Sequence, residues 1–311
     1  MDEMILSQSE DLIVSTCGWC DAGSLWILET RSGSVSMHTL SDAKHLSLHA
    51  GTNGHFSVMH HYDGCRVCIS AHSFMNPTKV LGSVLFGPDG SRFEGDSAVW
   101  RHVPKAYVAY FKRPSLSAYY LFLIEPIRPE AESVALDWFG NSYDMMYQGV
   151  IGAVDVPDEN KVIISVQRDS HPILYDTEQR KVVSKLSLAK RAGNPILRFT
   201  QQTRELWASD YDTILRLSAP DWTVADRRLL QWGNQFIGDF TFNHDESLCA
   251  VARPFSGDVV ALNTKRFKVT HTCKLGQQPL CAAILADGTV YGRDWKTGAM
   301  LKGQLRKKWF A

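Results

Sequence analysis

The sequence predicts an all-β chain: one ring of seven repeated, four-stranded antiparallel units. Three observations carry this. Helical periodicity is nearly absent. Apolar or alternating runs of strand length recur, separated by glycine, asparagine, aspartate and proline. Those runs group in fours, with a period of about 44 residues in a chain of 311.

Taken in order, second-strand starts are expected near Asp11, His55, Ala106, Lys161, Glu205, Ser247 and Gly288, at spacings of 44, 51, 55, 44, 42 and 41. This divides the chain into approximate units 1–44, 45–90, 91–146, 147–190, 191–233, 234–276 and 277–311 within a single domain. The clearest copies lie in the second half. Residues 149–188 read as GVIGAVDV, KVIISVQR, PILYDT and KVVSKLSL, joined by polar turns. Residues 194–230 and 238–275 repeat the plan. In each copy the second strand is β-branched or small, as a strand buried on both faces should be. The last unit shows three strands, Leu280 to Leu285, Thr289 to Arg293 and Ala299 to Leu305. Its fourth is expected either from Met4 to Ser7 or from the tail Arg306 to Phe310, since sharing a unit between the termini removes an open edge.

Four-stranded units of this length are propeller blades. Tyr175-Asp176-Thr177 and Leu262-Asn263-Thr264 end third strands with an Asp or Asn that starts the next turn. On these residues the chain resembles the seven-bladed β-propeller superfamily of the WD-repeat and YVTN-repeat kind, over nearly its whole length. The Gly-His and Trp-Asp pairs of WD repeats are missing at their usual spacing, and Asp294-Trp295 has the reverse order.

Composition narrows the function. Thirty-three basic side chains balance 33 acidic ones, which removes the broad electrostatic drive for nucleic acid. The N-terminus is acidic, with no signal-like apolar core, and no apolar run is long enough to span a membrane. A cytoplasmic protein is expected. Seven cysteines make an odd count that does not suit a disulfide framework; Cys249, Cys273 and Cys281 sit in apolar alternations and should be buried.

Function on such a scaffold sits on loops held by rigid strands. Second-to-third strand loops and the connections between units should share one face. On the connections, Trp138, Phe139, Tyr143 and Asp144 form one aromatic and polar stretch, and Trp232 with Asn234 another. Arg168, Tyr211 and Arg253 lie on the loops. Aromatic anchors in a polar rim suit recognition of a protein or peptide; the same aromatics would equally serve as plugs between blades.

Two alternatives stay open. Cys17-x-x-Cys20 and Cys65-x-x-Cys68 lie one unit apart, and four thiolates could hold zinc. Against this, residues three apart on a strand face opposite sides. A channel-centred hydrolase, lactonase-like or glycosidase-like, would use acids and amides such as Asp96, Asp137, Asp144, Asp155, Asp239, Asn194 and Asn234 from different blades. No catalytic signature such as a P-loop or a G-x-S-x-G elbow occurs. The tail Lys302 to Phe310 is basic and aromatic, which suits an edge strand or a solvated end.

Overall fold

A computed structural model describes residues 3–16, 23–62, 66–87, 90–112, 119–124, 134–136, 151–157, 159–166, 171–188, 196–230 and 235–307. They form antiparallel sheets that follow one another along the chain. The first holds β1 (Met4–Leu6), β2 (Leu12–Thr16), β3 (Ser24–Glu29) and β4 (Val35–Thr39). The second holds β5 (His45–Ala50), β6 (His55–Tyr62), β7 (Arg66–Ser73), β8 (Gly82–Gly87) and β9 (Gly90–Gly95), followed by a 3-10 helix, Ser97–His102. The third holds β10 (Tyr107–Lys112), β11 (Tyr119–Ile124) and β12 (Val134–Leu136). The fourth holds β13 (Ile151–Asp155), β14 (Lys161–Val166), β15 (Ile173–Asp176) and β16 (Lys181–Lys185). The fifth holds β17 (Leu197–Phe199), β18 (Leu206–Asp210), β19 (Thr213–Ser218) and β20 (Thr223–Leu229). The sixth holds β21 (Phe240–Phe242), β22 (Leu248–Arg253), β23 (Asp258–Asn263) and β24 (Lys268–Lys274). The last holds β25 (Pro279–Ile284), β26 (Thr289–Asp294) and β27 (Met300–Gln304). A final short strand, β28 (Arg306–Lys307), pairs with β24 and gives the sixth sheet a fifth member.

The expectation of seven equal four-stranded blades is overturned. Among the described residues, three of the sheets have four strands, two have five and two have three. The irregular sheets also explain the swollen spacings. The segment near Ala106 was expected to open a second strand, but β10 is the first strand of its sheet and meets β13, the first strand of the next. The extra residues before it form β9 and the 3-10 helix.

Neighbouring sheets pack face to face through buried apolar clusters, which is why middle strands such as β14, β18 and β22 read as apolar runs. In the fifth sheet Ala208 and Leu215 face the fourth sheet among Ile163, Leu174 and Leu186. The alternate residues Trp207 and Ile214 face the sixth among Phe240, Val251 and Phe267. First strands contact one another around the inside, while β4, β16 and β20 are largely exposed. First strands therefore line an axial channel, and last strands form the rim.

Closure also differs from expectation. Among the described residues, neither terminus supplies a fourth strand to the last sheet: β1 pairs with β2, and β28 pairs with β24. The last sheet instead packs face-on against the first through Met4, Ile13, Leu28, Cys281, Ala283 and Tyr291. The Tyr291 hydroxyl donates to the Thr30 carbonyl at 3.3 Å, and Ala286 N–H donates to Glu10 Oε2 at 2.7 Å.

Candidate functional site

The second-to-third strand loops and the inter-sheet connections do meet on one face. Four aromatic rings from three consecutive sheets cluster there. Tyr211 sits in the tight turn between β18 and β19 with φ of 52°, a left-handed geometry that non-glycine residues adopt only in special turns. Phe236 lies on the connection from β20 to β21. The next residue, Ile237, is buried and donates its N–H to the Tyr211 carbonyl at 2.8 Å. Gly238 then lets this connection lie against the last sheet, since a Cβ there would meet the Leu280 carbonyl oxygen at 2.1 Å. Phe255 tops the loop between β22 and β23, and Trp295 opens the loop between β26 and β27.

Phe236 is the hub. Its ring centroid lies 6.5 Å from Tyr211, 5.2 Å from Phe255 and 5.7 Å from Trp295, spacings at which aromatic pairs attract. Phe255 is 46% exposed. That is unusual for a large ring packed on others, and it leaves an aromatic edge for a partner.

Ion pairs around the buried Asp258 carboxylate, and turns, hold these loops. Arg253 grips Asp258 through two bonds of 2.8 Å and donates a third, also 2.8 Å, to the Leu230 carbonyl. Lys274 reaches Asp258 at 3.2 Å and the Ser256 carbonyl at 3.1 Å. Under Trp295, the Asp294 carboxylate accepts from the N–H groups of Gln278, Lys296 and Thr297 and from the Thr297 hydroxyl. Burial works against its charge, but these donors outweigh it and hold the carboxyl below its ordinary range.

Of the site residues expected from sequence, Tyr211 and Arg253 fall on this face. Tyr211 joins the ring cluster; Arg253 is the bracket beneath Phe255, with its guanidinium engaged. Trp138, Phe139, Tyr143, Asp144, Arg168, Trp232 and Asn234 lie outside the described residues. Phe236 closes the stretch 231–236 that holds Trp232 and Asn234, so the sequence pointed to its connection without singling out its ring; Phe255 and Trp295 were not among the expected site residues. Both are aromatics in second-to-third strand loops, so a search of all such loops for aromatics finds them.

The axial channel holds a second constellation. Arg198 on β17 donates to both carboxylate oxygens of Asp239 at 3.1 Å, and Glu3 accepts from the Leu48 N–H. Burial is the largest influence on both carboxyls and pushes them up, against the pull of Arg198. Burial likewise opposes the charge on Arg198, but Asp239 and Glu3 outweigh it. Asp239 also accepts from the Phe240 N–H at 2.7 Å, so its oxygens are committed to holding the channel wall. The other acids considered for a hydrolase are elsewhere employed. Asp96 caps the 3-10 helix through the Ala98 N–H, and Asp155 accepts from the Lys105 N–H. Asp137, Asp144, Asn194 and Asn234 lie outside the described residues.

Of the four cysteines considered for zinc, Cys17, Cys20 and Cys65 lie outside the described residues. Cys68 is half-buried on β7, and burial pushes its thiol up to about 11, away from the thiolate a metal needs. Among the described residues no group of three His, Cys, Asp or Glu side chains could hold a metal ion. None of their helices is long and apolar enough to cross a membrane.

No protein-family model matches the chain, and no curated protein does. The fold is nonetheless common, with 1097 solved chains similar to it. One is the β-propeller domain of Myceliophteria thermophila Cps50 (Swd1), with a TM-score of 0.64, 10% identity, and coverage of 98% of this chain and 96% of that one. The molecule is therefore a β-propeller. At this identity the likeness defines the fold alone.

The resemblance to seven-bladed WD-repeat and YVTN-repeat families is corrected on the same findings, and the residues that suggested it have a local cause. Asp176 accepts from the N–H groups of Glu178 and Gln179, and Asn263 from that of Arg266. These are side-chain-capped turns that any hairpin can use.

Proposed function

We propose that this propeller is a non-enzymatic scaffold that binds a protein or peptide on the face bearing Tyr211, Phe236, Phe255 and Trp295. The observation that carries the reading is the 46% exposure of Phe255 on top of a ring cluster whose loops are fixed by Arg253–Asp258 and by Asp294. Rigid aromatic anchors give contact area at little entropic cost. Trp232 and Asn234, on the same connection as Phe236, together with Trp138, Phe139, Tyr143, Asp144 and Arg168, are proposed to extend the surface.

The test is affinity capture from cells of the source organism, comparing wild type with Phe255→Asp. The variant should fold with an unchanged Tm and lose the captured partners. A second variant, Trp138→Ala with Trp232→Ala, tests the extension. If Phe255→Asp keeps every partner, the site assignment fails.

A further inference from the structure

At the seam between the last and first sheets, one arginine has lost its solvent and gained no acceptor among the described residues. Arg293 on β26 is fully buried, at 0% exposure. Among the described residues, its Nε, Nη1 and Nη2 all lack a hydrogen-bond partner. Its guanidinium carbon sits 4.5 Å from the ring centroid of Trp26 on β3. The Trp26 indole N–H is also buried without a partner. Both side chains face the same seam: Arg293 alternates with Gly292 and shares its face with Tyr291, which packs on the first sheet.

What is missing has a definite chemistry. Every orphaned atom here is a donor nitrogen, and one of the two groups carries a permanent positive charge. A cation–π contact offsets only part of the cost of burying that charge. An apolar side chain of similar volume would avoid the cost altogether. A water could accept one or two of these bonds but could not neutralise the charge. An anion does both, and the planar fork of a guanidinium matches the two oxygens of a carboxylate or an inorganic oxyanion.

We propose that Arg293 and Trp26 form an enclosed receptor for one small oxyanion at this seam. Full enclosure of the guanidinium selects a small, wholly desolvated ligand over a macromolecular surface, so the site is independent of the aromatic face. Bound there, the anion would tie the last sheet to the first at the join that no strand crosses, and its occupancy would set how firmly the ring is closed.

The test uses the full chain and thermal unfolding. Acetate, inorganic phosphate and sulfate are each added against a chloride background of equal ionic strength, to wild type, Arg293→Met and Arg293→Lys. At least one probe should raise the wild-type Tm saturably, by about 2 °C at roughly ten times its Kd. Arg293→Met should show only the unsaturating rise common to excluded salts, and in chloride it should be at least as stable as wild type. Arg293→Lys keeps the charge without the fork, so it should need roughly tenfold more anion. Two results would overturn the proposal. One is an identical anion response in all three proteins. The other is a large loss of stability or of folding in Arg293→Met together with no saturable response in wild type, which would mean that the charge is already balanced within the chain.

Discussion

At the scale of single residues, buried histidines set the response to acid. His60 and His72, on neighbouring strands of the second sheet, are joined through Ser70: each Nε2 lies 2.7 Å from its Oγ. Ser41 meets His60 Nδ1 at 2.9 Å. Burial, the largest cause in each, lowers His60 to about 3 and His72 to about 4. His49, beside Arg198, falls to about 3, and His61, beside His45, to about 4. A group whose folded pKa is depressed takes its proton in the unfolded chain first. Stability is therefore full above pH ~6.5 and falls as the pH drops toward 4. By pH 5 the loss should be about 2 kcal/mol for each fully buried histidine, read from urea midpoints at pH 7 and pH 5. His72→Phe should flatten that slope, and an unchanged slope would remove His72 from the explanation.

Residue identity was partly legible. Cys249, Cys273 and Cys281 are buried, as their apolar alternation implied. The His60–Ser70–His72 chain was not, because it forms across strands whose pairing a single sequence does not state. Arg198 and Asp239 add a further expectation. Asp239→Ala strands a guanidinium that keeps 34% of its side-chain surface exposed, so its cost in urea unfolding should be about 1–3 kcal/mol, below that of a fully buried pair.

At the scale of elements, strands repeated in a clean pattern were readable, and their edges and additions were not. KVIISVQR foretold β14, and Leu248–Arg253 forms the buried strand its small residues suggested. The second and third sheets departed because β9, the 3-10 helix and the displaced β10 follow no period. Ring closure was misjudged for a physical reason. A shared sheet is one way to remove an edge, but face-on packing through Met4, Ile13, Cys281 and Tyr291 buries apolar surface without pairing strands. The two termini should therefore differ in weight. Removing residues 1–10 deletes β1 with buried Met4 and Glu3 and should lower Tm by about 10 °C or more. Removing residues 306–311 deletes the two-residue β28, which pairs at the outer edge of the sixth sheet, and should cost less than about 3 °C. Equal losses would show that the tail, too, is part of the closure.

At the scale of the whole molecule, sheets that bury both faces leave loops as the natural place for function. The sequence pointed to second-to-third strand turns and inter-sheet connections, and loops of both kinds come together at the four rings. It did not find which rings touch, because Tyr211, Phe236, Phe255 and Trp295 come from parts of the chain up to 84 positions apart. The balance of 33 basic and 33 acidic side chains fits the way Arg253, Asp258 and Lys274 neutralise one another beneath the rings. Binding should accordingly depend weakly on salt, since rim charges screen within about 10 Å at 0.1 M. The most direct measurement is hydroxyl-radical footprinting of wild-type protein alone and with its captured partner. The proposal predicts protection of Tyr211, Phe236, Phe255 and Trp295. Protection confined to outer-strand residues such as Val35, Met37, Val183 and Leu229, with those four rings equally reactive in both states, would contradict it.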